Sequence, residues 1–239
     1  MLSETAQAAF DPAIYQAAQP FPHLVLDQLL EPVVAAHVAA ELKQFSMDRS
    51  QWWRFPAIDA HADQVRKRGL SDFEKMTPLM RMASDYFNSA GFLHKLEQLT
   101  GISGLLPDPA YEGGGYHQTG RGGKLGVHHD FNVHAIQGER VYRRINLLLY
   151  MNREWSADWA GQLELWEKDL SSCAAIIEPR FNRAVIFTID DAPHGHPQPL
   201  NCPENETRRS LAYYYYTREE PQTERRYQRA HWKYGDRLI

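Results

Sequence analysis

Five short strand-like runs follow one another in the second half of the chain without a helical pattern between them. They are Arg143–Met151, Gln162–Trp166, Ala174–Ile177, Arg183–Ile189 and Arg209–Thr217. Glycine-rich turns, beginning at Gly113, come after the break at Pro107-Asp-Pro109. Strands that follow helices, instead of alternating with them, favour an α+β or mainly β domain over a doubly wound sheet. The number of strands and the density of turns predict two packed antiparallel sheets, a jelly roll.

Helical patterns concentrate in the first hundred residues. After a short strand at His23–Asp27, a helix is predicted from Pro32, because proline is tolerated in the first turn. Two more helices are predicted from near Thr77 and Ser89, with Gly101 as the C-terminal cap of the second. The chain is thus expected to form a single domain. Its parts are a loose N-terminal arm (1–19), a strand with supporting helices (20–109), the β core (110–218) and a C-terminal tail (219–239).

Composition narrows the class of protein further. A length of 239 residues suits one elaborated β domain, and the formal net charge of −4 gives no reason to expect a nucleic-acid or membrane partner. Cys173 and Cys202 are too few for a disulfide framework and are interpreted as reduced, although one bridge stays open. The sequence shows neither a secretory signal nor an apolar run of about 18 residues. We therefore expect a soluble, cytoplasmic protein, whose oligomeric state the sequence leaves undetermined.

A candidate metal site begins at His128-His-Asp130. His128 and Asp130 share a face if the segment is extended, because side chains alternate along a strand. His194 follows 66 positions after His128, directly beyond an apolar strand that can bring it back. Two imidazoles and one carboxylate leave one face of a metal open, which suits non-haem Fe(II) oxygen chemistry. The three residues are therefore candidate catalytic metal ligands.

Other histidines compete with this assignment. His196 lies two positions from His194 and can face the same way, so it is the main rival for third ligand. For His129, His134 and His196 a structural role, as hydrogen-bonded histidines, is the preferred interpretation. His194 is favoured as the ligand because Gly195 lets the backbone turn close to a metal.

A second cluster suits a 2-oxo acid that would chelate the metal. Such a co-substrate needs a cation for its far carboxylate, and arginine offers a planar two-pronged donor. Arg208 lies at the start of a strand, with Ser210 on the same face and Arg209 pointing away. Tyr150 ends another strand and provides a phenol hydroxyl. Because two arginines stand in succession, Arg209 remains the alternative cation.

The combined pattern resembles the Fe(II)/2-oxoglutarate-dependent oxygenases, and most closely their prolyl-4-hydroxylase-like branch. The pattern, spanning roughly residues 110–218, is His128-x-Asp130, Tyr150-Met-Asn152, Gly161-Gln-Leu163, His194-Gly195 and Arg208-x-Ser210. The resemblance implies a double-stranded β-helix whose N-terminal helices buttress one sheet. It implies an iron site of His128, Asp130 and His194. It also implies that Arg208 and Tyr150 bind the oxoglutarate tail and that Leu163 forms an apolar wall.

The resemblance implies a hydroxylase. It would oxidise an unactivated C–H bond of a peptidyl residue, amino acid or small metabolite and release succinate and CO2. Fe(II), 2-oxoglutarate and O2 are the expected cofactors and co-substrates, with ascorbate as an optional reductant. The residues expected on the substrate side are Gln118, Arg144, Asn146 and Trp166. Two alternatives stay open: a cupin-like metalloenzyme that does not use 2-oxoglutarate, and a non-catalytic jelly-roll binding module.

Overall fold

The computed structural model describes residues 1–47, 53–54, 64–222 and 230–232. The helices are Glu4–Ala8 (α1), Pro12–Ala17 (α2), Pro32–Met47 (α3), Pro78–Phe87 (α4) and Ala90–Thr100 (α5). The strands are His23–Leu26 (β1), Trp53–Arg54 (β2), Gln64–Leu70 (β3), Leu106–Pro107 (β4), Gly115–His129 (β5), Val133–Ile136 (β6), Glu139–Tyr150 (β7), Leu163–Trp166 (β8), Cys173–Ile177 (β9), Ala184–Thr188 (β10), His194–His196 (β11), Thr207–Thr217 (β12) and His231–Trp232 (β13). None of the helices in these ranges has the length and apolar character needed to cross a membrane.

The strands form one antiparallel sheet that curls on itself, in the order β1-β10-β7-β12-β5-β11-β8-β9. Strand β5 joins its two halves. Its first part, Gly115–Gly120, pairs with β12, and its later part pairs with β11 at Leu125 and His128. Strand β3 runs along the other edge of β5. The prediction of a mainly β jelly roll with supporting helices is confirmed.

Glycines make the bend in β5 possible. The sequence predicted turns here, but the segment is one long strand that passes from one half of the sheet to the other. At Gly123 a Cβ atom would lie 2.8 Å from the carbonyl oxygens of both Gly120 and Val65. Gly122 has a φ of +72°, which side-chain-bearing residues rarely adopt. Glycine inside a strand marks such a bend or a close backbone approach.

The two faces of the central strands have different environments. Tyr213 and Tyr215 of β12 and Leu147 of β7 pack in the main core together with helical residues such as Phe87. Alternate positions on the same strands face the opposite way, into a cavity between the halves of the sheet. The helices therefore support one face of the sheet and leave the other face for the cavity.

The N-terminal segment is not a loose arm. Leu2, Ala6 and Tyr15 are buried, and the Tyr15 hydroxyl lies 2.6 Å from Oγ1 of Thr188. Helices α1 and α2 are too short to show a hydrophobic period, so no helix was predicted there. The expected helices from Pro32, Thr77 and Ser89 are present, and Gly101 ends α5 with a φ of +73°. Most of the predicted tail, residues 223–229 and 233–239, lies outside the described residues.

Candidate active site

Strands β5 and β11 bring the three predicted metal ligands together. His128 pairs directly with His194 in the strand register. Nε2 of His128 lies 3.4 Å from Oδ1 of Asp130, and Nε2 of His194 lies 3.6 Å from Oδ2 of the same carboxylate. One ligand atom from each residue falls within 4.8 Å of the others, which is close enough for one cation to bind all three. The structure thus brings together all three residues that the sequence suggested as metal ligands.

Backbone carbonyls fix the orientation of both imidazoles. Nδ1 of His128 lies 2.9 Å from the carbonyl oxygen of Gly126, and Nδ1 of His194 lies 2.9 Å from that of Ala192. Nδ1 must therefore carry the proton in each ring, which leaves the Nε2 lone pair for a metal. Burial lowers the pKa of His194 to about 4, so the ring is neutral at neutral pH. This donor set fits a divalent transition metal.

A buried arginine holds the carboxylate in place. Oδ2 of Asp130 accepts hydrogen bonds from Nη2 of Arg143 at 2.9 Å and from Nδ2 of Asn146 at 2.7 Å. Arg143 is only 1% exposed, and its guanidinium carbon lies 3.3 Å from the centre of the Tyr214 ring. Burial would raise the pKa of Asp130, but Arg143, His194 and His128 hold that pKa well below its usual range. The carboxylate is therefore ionised.

A β-bulge decides which of two adjacent arginines reaches this site. Along β7, Tyr215 pairs with Ile145 and Tyr216 pairs with Arg143, so Arg144 is an extra residue without a partner position. Such an insertion reverses the alternation of side chains. Arg144 was expected on the substrate side. It lies instead on the face of the sheet away from the cavity, where its Nη2 is 3.5 Å from Oδ2 of Asp190. Arg143, which the sequence did not single out, takes the inner position.

Arg208 lies at another wall of the cavity that the three ligands share. It is buried, its Nε donates a 2.7 Å hydrogen bond to the carbonyl of Gly161, and its guanidinium lies 4.7 Å from the centre of the Tyr150 ring. Among the described residues, no carboxylate comes within ion-pair distance of Arg208. Leu163 and Ser210 line the same region. A buried cation without a carboxylate is costly, so this region fits an anionic ligand.

The register of β12 separates Arg208 from Arg209. Arg208 pairs with Thr119, which lines the cavity, whereas Arg209 pairs with Gln118 on the opposite face. There Nη1 of Arg209 forms a 2.6 Å ion pair with Glu206. Of the two candidate cations, Arg208 therefore faces the cavity. Gln118 was expected on the substrate side, and the alternation of β5 turns it away.

Of the two remaining residues that were predicted on the substrate side, one lines the cavity and one does not. Asn146 lines the cavity, as expected, and contacts Asp130. Trp166 does not line it; its ring Nε1 donates a 2.8 Å hydrogen bond to the Glu164 carboxylate instead. Tyr150 lies beside Arg208, and its hydroxyl is buried without a well-formed hydrogen bond.

Several cavity residues were missed or left as rivals. Lys67 and His117 were missed because Lys67 lies outside the predicted helices and strands and His117 lies among the predicted glycine-rich turns. His196 also lines the cavity but does not join the ligand cluster. A structural role was preferred for His129 and His134. Nε2 of His129 lies 3.1 Å from Oδ1 of Asp191, and Nε2 of His134 lies 3.8 Å from Oδ2 of Asp108.

Comparison with known proteins agrees with this geometry. Residues 114–216 match the family model described as the 2OG-Fe(II) oxygenase superfamily. Residues 114–216 are similar to a 2OG-Fe(II) oxygenase domain. Enzymes of this superfamily are dioxygenases that depend on Fe(II), 2-oxoglutarate and O2. The match therefore favours the oxygenase over the two alternatives that the sequence left open.

Solved structures show the same fold for the oxygenase domain together with its N-terminal elements. A prolyl-4-hydroxylase from Pseudomonas putida superposes with a TM-score of 0.60 at 15% identity, covering 87% of this chain and 99% of that protein. A prolyl hydroxylase from Trichoplax adhaerens, in complex with a hypoxia-inducible-factor peptide, gives 0.60 at 14%, covering 89% and 90%. HygX from Streptomyces hygroscopicus, with nickel and 2-oxoglutarate bound, gives 0.55 at 10%, covering 91% and 88%. No curated protein sequence matches the chain significantly.

Proposed function

We propose that this protein is an Fe(II)- and 2-oxoglutarate-dependent hydroxylase that oxidises an unactivated C–H bond and releases succinate and CO2. One observation carries the proposal most directly. The His128, Asp130 and His194 cluster and the buried Arg208 face one cavity, and Arg208 has no carboxylate partner among the described residues. A metal would bind at the end formed by the three ligands. A dianion that chelates this metal would pair with Arg208 at the other end.

The roles of the metal-binding residues follow from their hydrogen bonds. His128, Asp130 and His194 would hold the iron, which supplies the oxidation chemistry when bound. Because Arg143 and Asn146 both donate to Oδ2 of Asp130, the other carboxylate oxygen is left to the metal. These two residues act as positioning groups, since they keep a ligand in place without touching the metal.

Residues at another wall of the cavity would bind the co-substrate. Arg208 would bind the far carboxylate of 2-oxoglutarate through its guanidinium, which suits a planar carboxylate. The Tyr150 hydroxyl and the Ser210 hydroxyl would donate to the same carboxylate, and Leu163 would pack against the methylene groups. The curled sheet around these residues would exclude water from the reacting groups.

Structurally similar proteins bind ligands of different chemical classes. The Trichoplax enzyme binds a peptide, whereas a second HygX structure contains hygromycin B, a small molecule. A peptide and a small molecule are therefore both represented among the ligands of structurally similar proteins.

Succinate formation in the presence of a panel of peptides, amino acids and small metabolites tests the proposed function. We expect the purified protein to form succinate only when Fe(II), 2-oxoglutarate and O2 are all present. The His128→Ala and Asp130→Ala variants should lose this activity completely. The matched control is His94→Ala, which removes an exposed histidine of α5. Circular dichroism should show that all three variants remain folded. Full turnover by both ligand variants would contradict the metal assignment.

A further inference from the structure

A second cation, Lys67, faces the cavity from strand β3. Lys67 pairs with Thr119 of β5, and Thr119 pairs with Arg208 of β12, so the three residues form one row across three strands. All three line the cavity. A register shift in β3 between Val65 and Lys67 accompanies a positive φ of 52° at Arg66. Bulges of this kind redirect a side chain, here towards the cavity.

The position of Lys67 separates it from the proposed 2-oxoglutarate subsite. Neighbouring strands lie about 4.8 Å apart, so Lys67 and Arg208 start about 10 Å apart on the two sides of Thr119. Among the charged side chains around it, Asp130 has the largest effect on the pKa of Lys67. Lys67 thus lines the same cavity as the metal ligands, where the reacting carbon of a substrate must lie.

The charge of the cavity favours an anionic substrate. Among the described residues that line it, Asp130 is the one carboxylate, against the cations Lys67 and Arg208. A divalent metal and the dianion of 2-oxoglutarate would cancel each other, so the loaded cavity would keep a net positive charge. Burial lowers the pKa of Lys67 to about 8, which leaves it cationic at neutral pH. A positively charged cleft with low-dielectric walls concentrates anions.

A hydrogen-bond acceptor lies next to this cation. His117 lies two positions before Thr119, on the same face of β5, and lines the cavity. Its ring bonds to the backbone of Gly113, and burial together with the charge of Lys67 lowers its pKa well below the usual value. The ring is therefore neutral. Its Nε2 is buried and has no hydrogen-bond partner among the described residues, so it offers a lone pair to a donor.

Taking the proposed function as its basis, we propose that the substrate is a small acid. Its anionic group would bind Lys67, and a neighbouring ammonium or hydroxyl group would donate to Nε2 of His117. A free amino acid or a hydroxy acid has this pair of groups, whereas an internal residue of a peptide has no carboxylate of its own backbone to offer. Lys67 is thus assigned as a specificity-determining residue for the hydroxylase.

Calorimetry on the protein loaded with Mn(II) and saturating 2-oxoglutarate tests this inference without turnover. The probes are L-lactate, L-2-hydroxyisocaproate and L-3-phenyllactate, each compared with its neutral carboxamide, and glycerol 3-phosphate compared with glycerol. We expect at least one acid to bind about tenfold or more tightly than its neutral partner, because a charge-assisted hydrogen bond is lost in the neutral compound. The carboxylate and phosphate pairs distinguish the two kinds of anion.

Variants connect the preference to Lys67. Lys67→Met should abolish the difference between acid and neutral partner, and Lys67→Arg should retain part of it. Arg68→Met, a change of the next cation along β3 on the opposite face, should leave the preference intact. The affinity for 2-oxoglutarate itself should stay within about threefold in Lys67→Met, since Arg208 supplies that contact.

Three results would overturn the inference. One is a wild-type protein that binds no acid more tightly than its neutral partner. Another is a Lys67→Met variant that keeps the preference. The last is a loss of 2-oxoglutarate affinity of tenfold or more in Lys67→Met, which would make Lys67 a co-substrate residue. A wild-type protein that binds no 2-oxoglutarate in the presence of Mn(II) would instead contradict the proposed function, and this is measured before any acid is added.

Discussion

The metal end and the co-substrate end of the cavity are built differently. At the metal end, hydrogen bonds within the protein hold the metal ligands in place. His128 and His194 donate to backbone carbonyls, and Asp130 accepts two hydrogen bonds from buried side chains. At the co-substrate end Arg208 has no carboxylate partner among the described residues, and the Tyr150 hydroxyl is buried without a well-formed hydrogen bond. The first end is organised before any ligand binds, whereas the second is completed by its ligand.

This difference has an energetic meaning. A buried polar group without a partner costs about 1–3 kcal/mol, and more if it is charged. The co-substrate end therefore reduces the stability of the empty protein, and an anionic ligand recovers that free energy on binding. At the metal end the same free energy is already recovered by hydrogen bonds within the protein. Substitutions at the two ends should accordingly change different quantities.

The largest effect is expected at the co-substrate end. Arg208→Met should weaken 2-oxoglutarate binding about 100-fold, because it removes the charge-assisted contacts to the far carboxylate. Calorimetric titration of 2-oxoglutarate into the Mn(II)-loaded protein measures this change. The matched control is Arg209→Met, which alters the adjacent arginine on the opposite face.

This control shows whether 2-oxoglutarate binding depends on the position of the arginine or only on its charge. Arg209→Met should lower stability, because it breaks the ion pair with Glu206, but it should leave 2-oxoglutarate affinity within about threefold. If Arg209→Met weakened the co-substrate more than Arg208→Met did, the assignment of the cavity-facing arginine would be wrong.

The next effect belongs to the metal end. Arg143→Met should lower metal affinity about 10- to 100-fold, because Asp130 loses the group that holds it in place. Titration with Co(II), followed by its visible absorption, measures the loss. Arg144→Met is the matched control, since its side chain lies on the outer face near Asp190, and it should leave metal affinity unchanged. Equal losses in both variants would show that the effect is general destabilisation.

These two pairs of arginines also show what the sequence can predict. Alternation along a strand predicted that His128 and Asp130 lie together, as they do, and that Arg208 and Arg209 face opposite ways, of which Arg208 faces the cavity. The same rule placed Arg144 at the substrate side, where it does not lie. Periodicity cannot show a bulge, because the extra residue is set by how β7 pairs with β12 and not by the chemistry of the residue itself.

Long-range pairing likewise explains what was missed in β3 and β5. Glycines near Gly120 have the composition of a turn, and only the pairing partners on both sides make the segment a strand. Lys67 reaches the cavity because β3 pairs with that strand. The fold class and the ligand order were therefore predictable, whereas the walls of the cavity depended on tertiary pairing.

A smaller effect concerns the metal end without its metal. Burial lowers the pKa of His194 to about 4, below its unfolded value of about 6.5, so the unfolded chain takes up the proton first as pH falls. Stability is then lost as pH falls below about 6.5. One histidine contributes about 1.4 kcal/mol between pH 7.5 and 5.5. Urea unfolding of the chelator-treated protein at both values measures the loss, and His194→Gln should reduce it. An unchanged pH dependence in His194→Gln would show that His194 is not buried in its neutral form.

The smallest effect tests the contrast between the two ends most directly. Tyr150→Phe removes a buried hydroxyl that has no well-formed hydrogen bond in the empty protein, so the free energy of unfolding should stay the same or rise by about 1 kcal/mol. The same change should weaken 2-oxoglutarate binding about three- to tenfold, since the hydroxyl would donate to its carboxylate.

Tyr15→Phe is the matched comparison, because its hydroxyl already has a partner at Thr188, 2.6 Å away. That variant should lose about 1 kcal/mol of stability and keep its full affinity for 2-oxoglutarate. The two tyrosine variants thus have opposite expectations in urea unfolding and in calorimetry. If Tyr150→Phe lowered the stability of the empty protein as much as Tyr15→Phe, its hydroxyl would have a partner before the ligand arrives. The co-substrate end would then be organised in advance, as the metal end is.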